Sequence, residues 1–151
     1  MAKYVSKTAF TIGLLVLLMA VPAFGASINK SIDIAADEES GGATSVNGSI
    51  SVGKNAVVTG GLRTVNGSIR VEDGAEIENA KTVNGRLRMG DGVHEDNLST
   101  VNGSVTIGEM AAISGDVSAV NGSITVEPEA VVNGELSNVN GRILLTGAEI
   151  G

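Results

Sequence analysis

The sequence contains no cysteine and no tryptophan, and only two prolines, one histidine, one tyrosine and two phenylalanines in 151 residues. Without cysteine there can be no disulfide framework and no lipidated amino terminus, so stability must come from hydrogen bonding and core packing. The three aromatic residues, Tyr4, Phe10 and Phe24, all fall near the start. The remainder offers no platform on which bases could stack, and with a net charge of -7 it has no basic excess either, which argues against nucleic acid as a partner. One histidine and no nucleophile in a recognisable setting leave the roles of acid, base and nucleophile unfilled. The expectation is a protein that is not an enzyme and needs no cofactor.

The first 25 residues have the pattern of a secretory signal peptide. Lys3 and Lys7 form a basic start, residues 12–21 are an apolar run, and Pro22-Ala23-Phe24-Gly25 ends on small residues suited to cleavage after Gly25. The alternative is an uncleaved anchor, because residues 8–26 carry no charge and are nearly long enough to span a membrane. Cleavage places residues 26–151 in the periplasm, the cell envelope or the exterior. It also takes the net charge to -9 by removing the two lysines, an acidic balance that favours solubility.

What is abundant is repetition. Six copies of Val-Asn-Gly, beginning at Val46, Val65, Val83, Val101, Val120 and Val139, step along the chain at intervals of 18 or 19 residues, and Ile28-Asn29-Lys30 opens the array as a degenerate seventh copy. A repeat this short cannot bury its own apolar face and is one turn of a solenoid. Apolar residues recur every six positions, in one series through Val46, Val52 and Val58 and in another through Ile50, Ala56 and Leu62. Each turn therefore holds three hexads, with Ala119 as the added residue where a turn has 19. The expected fold is an all-β, single-domain, triangular parallel β-helix of about seven turns over 26–151, right-handed, with no helix. Glycine (21 residues), valine and isoleucine suit that fold, and Asn-Gly is expected to supply positive φ at its corners.

Stacked turns turn repeats into rows. Asn29, Asn47, Asn66, Asn84, Asn102, Asn121 and Asn140 should form an asparagine ladder, each amide bonding to the next turn. The same reading accounts for Asn-Gly-Ser, which also matches a glycosylation acceptor, as turn chemistry. Arg70 and Arg88 share an outward offset, with Arg86 beside them and Lys54, Arg63 and Lys81 in the same third of the chain. They form either a solvated face balanced by Glu72, Asp73, Glu76 and Glu78 or a polyanion patch for envelope polysaccharide or a membrane surface. His94 lies in a segment where the hexad rule breaks, since Glu95 takes the offset filled elsewhere by Val58, Ile77, Ile113 and Val132. Asp91, His94, Glu95 and Asp96 make a weak cation set, so no metal is expected, and the cost of burying a charge predicts a bulged corner that turns Glu95 to solvent.

The hexads resemble those of the hexapeptide acyltransferases, but the turns of 19 break the strict 18-residue coil of that family. A fuller likeness covers the whole chain after the leader. Val52-Gly53-Lys54-Asn55-Ala56-Val57-Val58-Thr59-Gly60-Gly61-Leu62 and Ile107-Gly108-Glu109-Met110-Ala111-Ala112-Ile113-Ser114-Gly115-Asp116-Val117 resemble the turns of bactofilins. That resemblance implies a triangular right-handed β-helix that polymerises end to end into nonpolar filaments without nucleotide, although bactofilins are cytosolic and this chain carries a signal. The functional expectation is an exported structural or scaffold protein that associates with itself as a dimer or filament. The alternative is a surface-binding module, including an ice-binding one built on Ser49, Ser51, Ser104, Thr106, Ser123 and Thr125. At the amino end, Asp33, Asp37, Glu38 and Glu39 with Ser40-Gly41-Gly42 suggest a charged, loop-rich cap. At the carboxyl end Leu144 takes an outward offset held elsewhere by Arg70, Arg88, Thr106 and Thr125, and marks the expected surface of self-association.

Overall fold

A computed structural model describes residues 26–151, so the leader and its cleavage site lie outside the described residues. The chain forms a parallel β-solenoid of about seven turns, all-β, with no helix among the described residues. Each turn contributes one three-residue strand to a first face: Ile32–Ile34, Ile50–Val52, Ile69–Val71, Leu87–Met89, Val105–Ile107, Ile124–Val126 and Ile143–Leu145. These seven strands pair in parallel as one sheet. The second and third faces belong to an eleven-stranded sheet that bends between them. In the middle turns single strands, Val57–Asn66, Glu76–Asn84 and His94–Asn102, run through both faces.

The strands follow from side-chain alternation. In Ile69–Val71 the two apolar residues point inward and Arg70 outward, and Ile50–Val52 and Ile124–Val126 repeat the arrangement. Six inward rows fill the interior, and Ile50, Leu62, Ile69, Leu87, Leu98, Ile107 and Ile124 are essentially inaccessible. Ala56, Ala75, Ala111 and Ala130, interrupted by Val93, form a row of mostly small buried side chains at the corner entering the second face.

Three details of the phase differ from the expectation. The repeated valines do not point inward: Val46, Val65, Val83, Val101 and Val120 are half-buried on the outside, and Val139 is exposed. Alternation along the third face sends the preceding residue inward instead, so Ser45, Thr64, Thr82 and Thr100 are fully buried. The added residue of the longer turns is not Ala119, which pairs with Thr100. It lies between the second and third faces, where the ladder shifts between Val58 and Gly61 and again between Ile113 and Val117. The amino-terminal segment is not a loop-rich cap. Ile32–Ile34, Glu39–Ser40 and Ala43–Ser45 are strands of a regular turn paired to the next one.

The two sharp corners use different chemistry. Asp37, Asn55, Gly74, Gly92, Met110, Glu129 and Gly147, one per turn between the first and second faces, have φ between 54° and 70°. This left-handed corner favours glycine, asparagine or aspartate, so Met110 and Glu129 hold it against their own preference. At the Val-Asn-Gly corner, by contrast, Gly48, Gly67, Gly85 and Gly103 do not take positive φ. Glycine is needed there for close approach, because a Cβ on Gly103 would lie 1.7 Å from the carbonyl oxygen of Gly85.

Candidate functional site

The asparagine row forms as a continuous ladder along the Val-Asn-Gly corner. Asn66 Nδ2 donates to Asn47 Oδ1 at 2.8 Å, Asn84 to Asn66 at 2.8 Å, Asn102 to Asn84 at 2.9 Å, Asn121 to Asn102 at 2.9 Å and Asn140 to Asn121 at 3.1 Å. Asn47 donates to Asn29 in the same sense. All seven side chains are exposed, so the ladder runs along the outer edge of the rod. Asn102 takes part in two of these bonds and Asn29 in one. Asn102→Ala is therefore expected to lower stability by about 1–2 kcal/mol, the worth of two solvent-accessible hydrogen bonds, and Asn29→Ala by roughly half of that. Urea titrations of the two variants check it, and equal losses would mean that the amides do not act as a ladder.

Two further rows were not anticipated. Inside the same corner, Ser45 Oγ donates to the Lys30 carbonyl at 2.9 Å, Thr64 Oγ1 to Gly48 at 2.9 Å, Thr82 to Gly67 at 3.0 Å and Thr100 to Gly85 at 3.4 Å. The hydroxyls satisfy backbone carbonyls left free where the chain turns. The signal was a serine or threonine just before the valine in four copies, hidden by the more conspicuous valine. Between the second and third faces, Asn97 Nδ2 donates to Asn79 Oδ1 at 3.1 Å, and Asn97 and Asp116 accept the backbone N–H groups of Asp116 and Glu135 at 2.9 Å each.

Glu95 overturns its expectation. It is not turned to solvent by a bulge but lies in the strand His94–Asn102, in register with Ile77 and Ile113, and is 2 % exposed. Neither carboxylate oxygen makes a hydrogen bond. A small side chain in the next inward row helps to explain how it fits, since Ala80 stands where the adjacent turns have Leu62 and Leu98. Burial pushes the Glu95 carboxyl well above the ordinary carboxylate range, and the charge of Asp96 adds to it.

The same strand separates the cation set. His94 and Asp96 flank Glu95 on the outside while Glu95 points in, and Asp91 sits at the left-handed corner accepting the Glu109 N–H at 2.9 Å. Among the described residues no group of three or more acidic or histidine side chains comes together as a metal site.

The arginines are only partly gathered. Arg70 and Arg88 pair in register on the outside of the first face, with Arg86 one alternation earlier, and all three are exposed. Arg70 Nε donates to Glu72 Oε1 at 2.9 Å, whereas Arg86 and Arg88 have no ion pair among the described residues. A shallow cleft beside Arg70 and Arg88 is lined on its other wall by Asp73, Asp91, Glu109 and Glu127, so the basic strip borders an acidic one. Lys54 belongs to that corner, paired with Asp73 at 3.1 Å, and its hydrogen bond holds the Asp73 carboxyl below the usual range. Arg63 and Lys81 lie apart, adjacent in register on the third face, where burial first and Arg63 second push the Lys81 amine down. The paired hydroxyl rows of the first face are interrupted by all three arginines and by Leu144.

At the carboxyl end the inward rows lose their cover. Ile143 and Leu145 continue the buried rows of Ile124 and Val126, yet they are 39 % and 44 % exposed. With outward Leu144 at 51 % they form an apolar end surface. Comparison of the chain with family models, with curated proteins and with solved structures finds no match in any of the three.

Proposed function

We propose that this chain is an exported, non-enzymatic structural protein that associates with itself through its carboxyl-terminal turn, a bactofilin-like scaffold element. The observation that carries this reading is the end surface: Ile143, Leu144 and Leu145 expose apolar side chains on a strand paired along one edge only. Such an edge is a template for a further strand, and apolar side chains there favour its occupation. The likeness to bactofilins is supported by residues 52–62 and 107–117, both of which run from the first face of the solenoid through its second and carry the added residue of the longer turns. Export rests on the leader pattern.

Leu144→Glu places a charge on the end surface without touching the buried rows. It is expected to weaken self-association at least tenfold, read by light scattering across a concentration series. A wild type that stays monomeric at high concentration, or a variant that associates equally well, would refute the reading.

A second reading is favoured by the in-register pairing of Arg70 with Arg88, since like charges on neighbouring strands repel unless a counterion lies between them. Arg86, Arg88 and Arg70 would then hold an anionic envelope polysaccharide. Binding that falls steeply with salt would support it, and binding independent of all three arginines would remove it.

A further inference from the structure

We propose that copies of this chain stack head to tail, with the turn at residues 28–45 of one copy seated on the turn at residues 139–150 of the next. This rests on the self-association reading, concerns its direction, and departs from the nonpolar filaments that the likeness to bactofilins implies.

The asparagine ladder is a one-way structure. In each of its steps Nδ2 of the later turn donates to Oδ1 of the earlier one. At the carboxyl end Asn140 has committed Nδ2 to Asn121 and presents Oδ1, an acceptor. At the amino end Asn29 has committed Oδ1 to Asn47 and presents Nδ2, a donor. Head-to-tail stacking brings that donor to that acceptor and adds a step to the ladder. Tail-to-tail stacking that superimposed the corners would set two amide oxygens against each other, or force each Asn140 to give up its bond to Asn121.

The apolar rows agree. Ile28 and Val139 are 75 % and 69 % exposed, more than any other large apolar side chain described, and they occupy the same offset of the repeat at opposite ends. Ile32 and Ile143 likewise end one inward row, and Ile34 and Leu145 another. A junction that keeps the register covers the exposed members of all three rows at once.

Two contacts oppose it. Asp33 and Leu144 end one outward row, so a carboxylate would sit beside the exposed leucine. Glu39 and Glu149 end another and would face each other across the junction. Salt screens that repulsion, so assembly should strengthen as ionic strength rises, opposite in sign to the binding of a polyanion.

The absence of cysteine permits a direct test. Ile28→Cys and Val139→Cys each introduce a single thiol, and residues of one row on adjacent turns lie about 5 Å apart, within disulfide reach. The two variants, purified with tags of different mass, are oxidised mildly, alone and mixed. The mixture is expected to form disulfide dimers containing one copy of each variant, at least tenfold faster than either variant alone. If Val139→Cys alone dimerises as fast as the mixture, the stacking is tail to tail and the polarity is wrong, while self-association stands. If scattering shows association but no pairing cross-links, the contact lies elsewhere and the proposal falls. If wild type is monomeric by scattering, the underlying reading fails first.

Discussion

Glu95→Ile is expected to stabilise the protein by about 1–4 kcal/mol at neutral pH, the range seen when buried ionisable groups are replaced by well-packed apolar ones. The replacement matches Ile77 and Ile113, the neighbours of Glu95 in its row, and removes two oxygens that have no hydrogen bond. The effect depends on pH with a definite sign. The folded-state pKa of Glu95 is raised well above its ordinary value of 4.5, so between those two values the unfolded chain has released a proton that the folded chain keeps. The contribution of this group is fully present below the unfolded pKa and is lost as pH rises through the folded one, at up to about 1.4 kcal/mol per pH unit. Wild type should therefore lose stability from about pH 4.5 upward, and Glu95→Ile should lack that component. Urea midpoints of both proteins from pH 4.5 to 8 decide the matter; parallel profiles would mean that Glu95 is solvated.

Gly103→Ala is expected to cost about 3 kcal/mol or more, or to prevent folding, because the new Cβ would overlap the Gly85 carbonyl and neither backbone can retreat without parting the turns. Gly61→Ala is the control. There a Cβ would meet nothing closer than the Arg63 Nε at 3.6 Å, so the cost should stay below about 1 kcal/mol. Thermal melts of the two variants separate a requirement for close backbone approach from a general dislike of substitution at glycine. Similar losses in both would refute the stacked-corner account.

The fold was legible because a repeat of 18 or 19 residues with three apolar pairs per turn admits few other structures. The asparagine ladder followed, since identical amides one turn apart satisfy each other. The phase was less legible. Valine in Val-Asn-Gly is apolar and invariant within the array, and so resembles a core residue, but strand alternation from Leu62 sends Thr64 inward and Val65 outward. A buried threonine that bonds a carbonyl carries no hydrophobic signature. Glu95 was misplaced for a related reason. Its sequence offset pointed inward, but the expected cost of burial outweighed the register, whereas in the folded chain the smallness of Ala80 accommodates it. The end surface was legible only at Leu144. Ile143 and Leu145 look like core residues in sequence and are exposed only because no turn covers them.

The stacked corners also bear on how the protein ages. Asn-Gly is a dipeptide prone to deamidation, because the glycine backbone nitrogen attacks the asparagine amide carbon through a ring that needs a mobile backbone. Here the amides of Gly85, Gly103 and Gly122 are each bonded to the carbonyl of the asparagine in the following turn, at 2.9–3.0 Å, which holds the attacking nitrogens away from the neighbouring side chains. Among the described residues no such bond holds the Gly141 amide. Chemical decay of the array should therefore begin at that last corner, and a second copy seated there would protect it as one turn protects another.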